Sequence, residues 1–160
     1  MLLAIDVGNT NTVLGVYDGD RLLENWRVET NARRTYDEYG TVVRQFFEWS
    51  KIDPARVSSV IVSSVVPPLQ FQLEKMSERY FRVKPLFVGP GVKTGMPILY
   101  DNPREVGADR IVNSVAAFER FKCGLIVVDF GTATTFCAIN SEREYLGGAI
   151  VAGLKISMEA

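Results

Sequence analysis

The stretch "DVGNTNT" (residues 6–12) follows the apolar run "LLAI", and "DFGTATT" (residues 129–135) follows "GLIVV". One chain thus sets an aspartate, a glycine and a closing threonine after a strand-like segment twice. At a shift of 123 residues, Asp6 falls on Asp129, Gly8 on Gly131 and Thr12 on Thr135. Three identities in seven positions make a weak repeat alone. The order of elements around them is the stronger sign, because each turn opens a similar run of three strands.

A glycine turn flanked by small hydroxyl and amide side chains lets backbone N–H groups approach a phosphate closely, with Asn and Thr adding neutral hydrogen bonds. The leading aspartate, at the end of a buried strand, can hold a magnesium ion or its waters against those phosphates, since Mg²⁺ takes one or two carboxylates plus water. A single copy reads equally well as a tight turn whose Asp and Thr cap backbone groups. Two copies heading two similar units point instead to a nucleotide gripped by both. Neither the P-loop pattern nor the Gly-rich dinucleotide pattern occurs in the chain.

The bulk composition narrows the chemistry. Eighteen Lys and Arg balance nineteen Asp and Glu, for a formal charge of -1, and the two signs are interspersed. No footprint for nucleic acid or an anionic membrane follows from that. The chain has no histidine, which removes the commonest general base and the usual zinc sites. Acid and base work must then rest on carboxylates, Lys, Tyr or Cys. Cys123 and Cys137 are far apart and read as reduced core thiols of a cytosolic chain. The amino terminus lacks the basic region of a signal peptide and Asp6 interrupts its apolar run. No apolar segment approaches the roughly 20 residues that span a bilayer, so the cytoplasm is the expected compartment.

Along the chain, residues 2–8 and 12–17 read as strands, and "YDGDRLLENWRVET" (17–30) passes through an Asp-Gly turn into a third. "TYDEYGTVVRQFFEWSKI" (35–52) spaces Tyr39, Val42, Val43, Phe46, Phe47 and Trp49 as the buried face of a helix. "VSSVIVSSVV" (57–66) reads as a strand buried on both sides and stopped by Pro67 and Pro68. A helix at 69–81, a strand "PLFVG" (85–89) and a loop "GPGVKTGMPILYDNP" (89–103) follow. "REVGADRIVNSVAAFERF" (104–121) reads as a helix with Pro103 at its first turn and Ile111, Val115 and Phe118 on one face. The segment 123–153 then repeats strand, turn, strand, turn, strand, and "GLKISMEA" (153–160) starts another helix. The expected fold is α/β: a ribonuclease H-like βββαβαβα unit over residues 1–122, then the opening three strands of a second, duplicated unit over 123–160.

Beyond the two turns, "SSVVP" (63–67), "YDNPREVGADRIVN" (100–113) and "GGAIVAG" (147–153) complete a set of motifs by which the chain resembles the amino-terminal part of a type III pantothenate kinase. That family belongs to the superfamily of acetate and sugar kinases, heat-shock protein 70 and actin. Its fit covers nearly the whole chain, and residues 100–113 are its most specific part. The resemblance implies an ATP-dependent kinase that converts pantothenate to 4'-phosphopantothenate, the first step of coenzyme A synthesis. It implies that Asp6, Val7, Gly8, Asn9, Thr10, Asn11, Thr12 and Val13 form the first phosphate loop and that Thr132 touches ATP. Tyr100, Gly107, Ala108, Asp109 and Arg110 would line the pantothenate site, with Asp109 as the catalytic base. Asp129 would bind the monovalent cation, potassium or ammonium, and the enzyme would be a homodimer.

With no histidine, a carboxylate is the natural acceptor for the proton of a primary alcohol attacking the γ-phosphorus, and Arg110 can pair with the pantothenate carboxylate through two donors. Spacing alone would leave Asp109 as an ordinary helix-start acid and Arg110 as a solvated surface charge, so the resemblance carries both roles. Family members continue past this chain's last residue, and Ala152 stands where many of them carry proline before Gly153. The expectation is an incomplete chain whose last three strands expose apolar surface and which does not turn over unaided. Two other readings stay open: a non-catalytic regulatory relative, disfavoured by Asp6, Asp109 and Asp129 all being present, and a sugar or acetate kinase, which leaves "YDNPREVGADR" unexplained.

Overall fold

A computed structural model describes residues 1–89 and 91–159; Pro90, inside the expected loop, and Ala160, at the end of the expected last helix, lie outside it. The chain forms two compact units, Met1–Val88 and Gly89–Ala160.

In the first unit, β1 (Leu2–Val7), β2 (Asn11–Asp18) and β3 (Arg21–Glu29) form an antiparallel meander. β4 (Ser59–Ser64) and the two-residue β5 (Leu86–Phe87) add in parallel, giving the order β3-β2-β1-β4-β5. Helices α1 (Tyr36–Trp49) and α2 (Gln70–Phe81) supply the crossovers. This is the expected ribonuclease H-like arrangement.

The period of two decides which face is core. Leu3, Ile5 and Val7 lie in register with Val16, Leu14 and Thr12 on one side and with Val60 and Val62 on the other, and all are buried. Tyr39, Val43 and Phe47 of α1 and Leu73, Met76 and Phe81 of α2 close over this face. Trp26 stacks on Phe46 with ring centroids 5.4 Å apart. Trp49, expected on the buried face, is instead 72% exposed: the core stripe runs through positions 39, 43 and 47, and 49 lies half a turn away, against the edge of Phe46.

Helix α1 begins with a reciprocal cap, in which Thr35 Oγ1 accepts from Glu38 N and the Glu38 carboxylate accepts from Thr35 N. α1 and α2 approach so closely that a Cβ on Gly40 would lie 2.3 Å from the Tyr80 ring. The Tyr80 hydroxyl is held by Asp37 at 2.7 Å, so the ring has little room to yield. Gly40→Ala is expected to destabilise the unit by about 1–3 kcal/mol through overpacking, read as a lowered urea midpoint with an unchanged slope; an unchanged midpoint would contradict the packing described.

β4 is shorter than expected because Ser58 and the residues before it precede the ladder, and Pro67–Leu69 already form a 3₁₀ turn. β5 shrinks to Leu86–Phe87 because Pro85 and Gly89 flank an edge strand.

In the second unit, β6 (Leu125–Phe130), β7 (Ala133–Ile139) and β8 (Tyr145–Ala152) form another antiparallel meander. Two helices belong to it, α3 (Ala108–Phe121) and the short α4 (Leu154–Glu159). α3 starts four residues later than expected: Pro103–Glu105 make a separate 3₁₀ turn capped by Asn102, and Gly107 is the true amino cap. The expected boundary at residue 122 grouped α3 with the first unit. Its apolar stripe, Ile111, Val115 and Phe118, is buried against Leu125, Val127, Cys137, Ile139 and Tyr145 of the second sheet, which is why the compact units divide at Val88–Gly89.

The two sheets bury opposite faces. Leu3, Ile5 and Val7 correspond to Ile126, Val128 and Phe130; the first three lie under α1 and α2, whereas Ile126 and Phe130 are 68% and 69% exposed. α3 covers the face that carries Asp129. The expected bare apolar surface on the last three strands is therefore present, on the side equivalent to the first unit's core. Cys123, expected in the core, is exposed, and both cysteines are free.

Candidate active site

Each turn is built by its hairpin, and the two hairpins differ by one residue. Val7 pairs with Thr12 and Gly8 N donates to Asn11 O at 3.0 Å. Phe130 pairs with Thr134 and Gly131 N donates to Ala133 O at 3.0 Å. The residue equivalent to Thr12 is therefore Thr134, not Thr135, because the second loop is one residue tighter. Both threonines are buried, and Thr12 Oγ1 lies 2.9 Å from Thr30 Oγ1 while Thr30 N donates to Thr10 O. Thr12 thus ties the start of β2 to the residue that follows β3 rather than presenting its hydroxyl to solvent.

Asp6, the penultimate residue of β1, lies on the face opposite the buried Leu3, Ile5 and Val7, in register with Val13 on β2 and Ser63 on β4. Ser63, part of "SSVVP", is buried and its hydroxyl makes no hydrogen bond among the described residues. Asn9, Thr10 and Asn11 are exposed along the turn. Among the described residues no group of three acidic or cysteine side chains could cage a metal ion. One carboxylate near the end of each first strand, Asp6 and Asp129, suits a magnesium ion that takes most of its ligands from phosphate and water.

Four of the expected acceptor-site residues, Gly107, Ala108, Asp109 and Arg110, form the amino end of α3, where unpaired backbone N–H groups favour anions. Asp109 Oδ1 accepts from Arg110 N at 2.7 Å. One turn on, Asn113 Nδ2 donates to Asp129 Oδ2 at 3.2 Å. Asp109 stands one turn before Asn113 on α3, and it is Asn113 that meets the strand bearing the expected cation ligand. Asn113 closes the quoted motif, yet nothing in its spacing signalled this bond, which depends on how α3 docks.

Arg110 is not the solvated charge its position suggested. Its Nη2 donates to Phe136 O at 2.9 Å, its Nε to Cys137 Sγ at 3.2 Å, and its Cζ lies 5.9 Å from the Tyr145 ring centre. Burial opposes the guanidinium charge, but the Cys137 sulfur, Tyr145 and Asp109 outweigh it and hold Arg110 above its ordinary range. Burial, then the bond to Cys137, pushes the Tyr145 phenol well above its usual value.

The motif "GGAIVAG" supports this site through clearance. A Cβ on Gly148 would lie 2.3 Å from Arg110 Nη2 and 1.9 Å from Phe136 O. A Cβ on Gly153 would lie 2.3 Å from Thr132 O. What the position of Gly153 requires is space for the 131–132 backbone. Tyr100 lies against β8 at Gly147, 3.3 Å from where a Cβ would stand, anchored by Leu99 N donating to Tyr145 O at 2.8 Å.

Comparison with known proteins follows the same lines. The chain is 72% identical to a type III pantothenate kinase of Myxococcus xanthus over its whole length, covering 62% of that protein. It is 60% identical to one of Geobacter sulfurreducens, covering 63% of it. The chain thus spans less than two thirds of the length of these relatives. Among solved structures it resembles a reductive activator for a corrinoid, iron-sulfur protein (TM-score 0.58, 12% identity, 88% of this chain and 29% of that one). It also resembles a putative N-acetylglucosamine kinase from Porphyromonas gingivalis (TM-score 0.52, 13% identity, 93% and 47%). Both likenesses concern the fold alone. The family model for type III pantothenate kinases matches residues 2–160, and with the two glycine turns and the Gly107–Arg110 helix start in place, the chain belongs to the type III pantothenate kinase family.

Proposed function

We propose that this chain is the part of an ATP-dependent pantothenate kinase that carries its phosphate-binding turns and its catalytic base. The supporting observation is the amino end of α3, where Asp109 and Arg110 sit one turn from the Asn113–Asp129 bond. In this reading Asp109 accepts the proton of the pantothenate primary alcohol as its oxygen forms a bond to the γ-phosphorus, and the bond to the ADP oxygen breaks. Arg110 takes the pantothenate carboxylate, and Tyr100 with Gly107 and Ala108 shapes the acceptor pocket. Residues 6–13 and Thr132 bind phosphate groups of ATP, chiefly through backbone N–H groups. Asp6 holds magnesium through water, and Asp129 holds potassium or ammonium. Bound cations neutralise charge on the transferring phosphoryl group. Positioning does most of the remaining work. No helix among the described residues is long and apolar enough to cross a membrane, and we place the enzyme in the cytoplasm as a homodimer, as the family resemblance implies.

The test uses a chain of the relatives' full length that carries this segment. With Mg-ATP and potassium, ADP release is expected with pantothenate and not with sugars or acetate. Turnover of a sugar alone would overturn the substrate, and no turnover with any acceptor would favour a regulatory relative. Asp129→Asn is expected to abolish the advantage of potassium over sodium, with a fall of about tenfold or more in potassium; a retained potassium response would remove Asp129 from the cation site.

A further inference from the structure

The cation at Arg110 is held by groups that the proposed function does not use. Cys137 and Gly148 are cross-strand partners in the β7–β8 ladder, so the sulfur and the missing Cβ stand side by side beneath one guanidinium. Cys137 is 1% exposed, which makes it an acceptor rather than a nucleophile or an external ligand. Tyr145, fully buried, reaches the same sulfur with its hydroxyl at 3.6 Å. Its raised phenol keeps that proton across the working pH range.

We propose that Cys137 is a positioning residue: with the Phe136 carbonyl and the space left at Gly148, it fixes Arg110 so that the Nη1–Nη2 edge meets the acceptor's carboxylate. This rests on the reading that Arg110 binds that carboxylate. A guanidinium presents five N–H donors in a rigid planar fork. Fixing one donor on Nε and one on Nη2 sets the direction of the remaining edge, as neither bond would alone. An arginine held by one bond would keep much of its rotamer freedom and lose it on binding. The Cys137 sulfur blocks rotation about the last torsion, and the Tyr145 ring limits movement off the sheet. Gly148 admits the fork, because a Cβ there would stand 2.3 Å from Nη2 and 1.9 Å from the Phe136 oxygen that Nη2 donates to. Specificity for an acid-bearing acceptor would then be written partly in β7 and β8, outside the helix that supplies Arg110.

The experiment compares Cys137→Ala, Cys137→Ser and Arg110→Ala in a chain of the relatives' full length. Cys137→Ala is expected to raise KM for pantothenate about tenfold, as loss of a hydrogen bond to a charged group does. Its kcat and its KM for ATP should stay within about twofold of the parent. Cys137→Ser keeps an acceptor and is expected to recover KM to within about threefold. Arg110→Ala should raise the same KM about 100-fold or more. If Arg110→Ala acts and Cys137→Ala does not, the positioning role falls while the proposed function stands. If Arg110→Ala leaves the acceptor KM unchanged, the carboxylate assignment fails first.

A second measurement needs no turnover. In the parent chain the Arg110 Nε–H should give a slowly exchanging side-chain resonance by ¹⁵N NMR, and Cys137→Ala should lose that protection. A parent in which this proton exchanges at the rate of a solvated arginine would overturn the proposal, whether or not the alanine variant folds.

Discussion

Asp109→Asn is expected to lower the rate of pantothenate phosphorylation by about 10²–10⁴-fold, the usual worth of a positioned general base. The substitution keeps the shape of the side chain and an oxygen able to accept from Arg110 N, as Oδ1 does at 2.7 Å. The start of α3 should therefore survive, at a cost no larger than the loss of one charge at a helix amino end, about 0.3–1 kcal/mol. What is lost is the ability to take a proton. With no histidine in the chain, no imidazole of its own can substitute. KM for ATP and for pantothenate should move only a few-fold, since the change removes an interaction made as the proton leaves. Single-turnover measurements would separate chemistry from product release. A rate within a few-fold of the parent would remove Asp109 from its role.

Gly153→Ala is expected to lower kcat/KM for Mg-ATP by about 10²-fold, the cost of misplacing a reacting group by about 1 Å. A Cβ there would stand 2.3 Å from Thr132 O and 2.8 Å from both Gly131 O and Thr132 C. All three are backbone atoms, so no rotamer change can relieve the clash. The turn between β6 and β7 must move away from β8, and with it the N–H groups proposed to meet phosphate. Overpacking of this kind also costs about 1–3 kcal/mol, so a thermal melt should accompany the kinetics. A variant with parental kcat/KM for ATP would show that the position of this turn does not matter to nucleotide binding.

Much of this was legible in the chain. The apolar runs "LLAI" and "GLIVV", the repeated Asp-x-Gly turn and the helical spacing of Tyr39, Val43 and Phe47 marked both meanders and α1, because strand runs and helix periods are local properties. "YDNPREVGADRIVN" marked the helix start that bears Asp109 and Arg110. The same stretch misled about where the helix begins, since Pro103 suits the first turn of a 3₁₀ segment as well as that of an α-helix. The match of Thr12 to Thr135 failed for a similar reason: identity of letters counts residues, whereas the hairpin counts backbone pairs, and one loop is a residue shorter.

By itself the sequence determined the α/β class, the two glycine turns, the absence of histidine chemistry and the helix carrying the candidate base, because each depends on neighbours within a few residues. Only the tertiary structure decided that α3 packs on the second sheet, that Asn113 meets Asp129, and that Arg110 lies on Cys137 across from Gly148. Those pairings join residues 16 to 38 positions apart. They are fixed by which apolar faces bury together, and no local period records that choice.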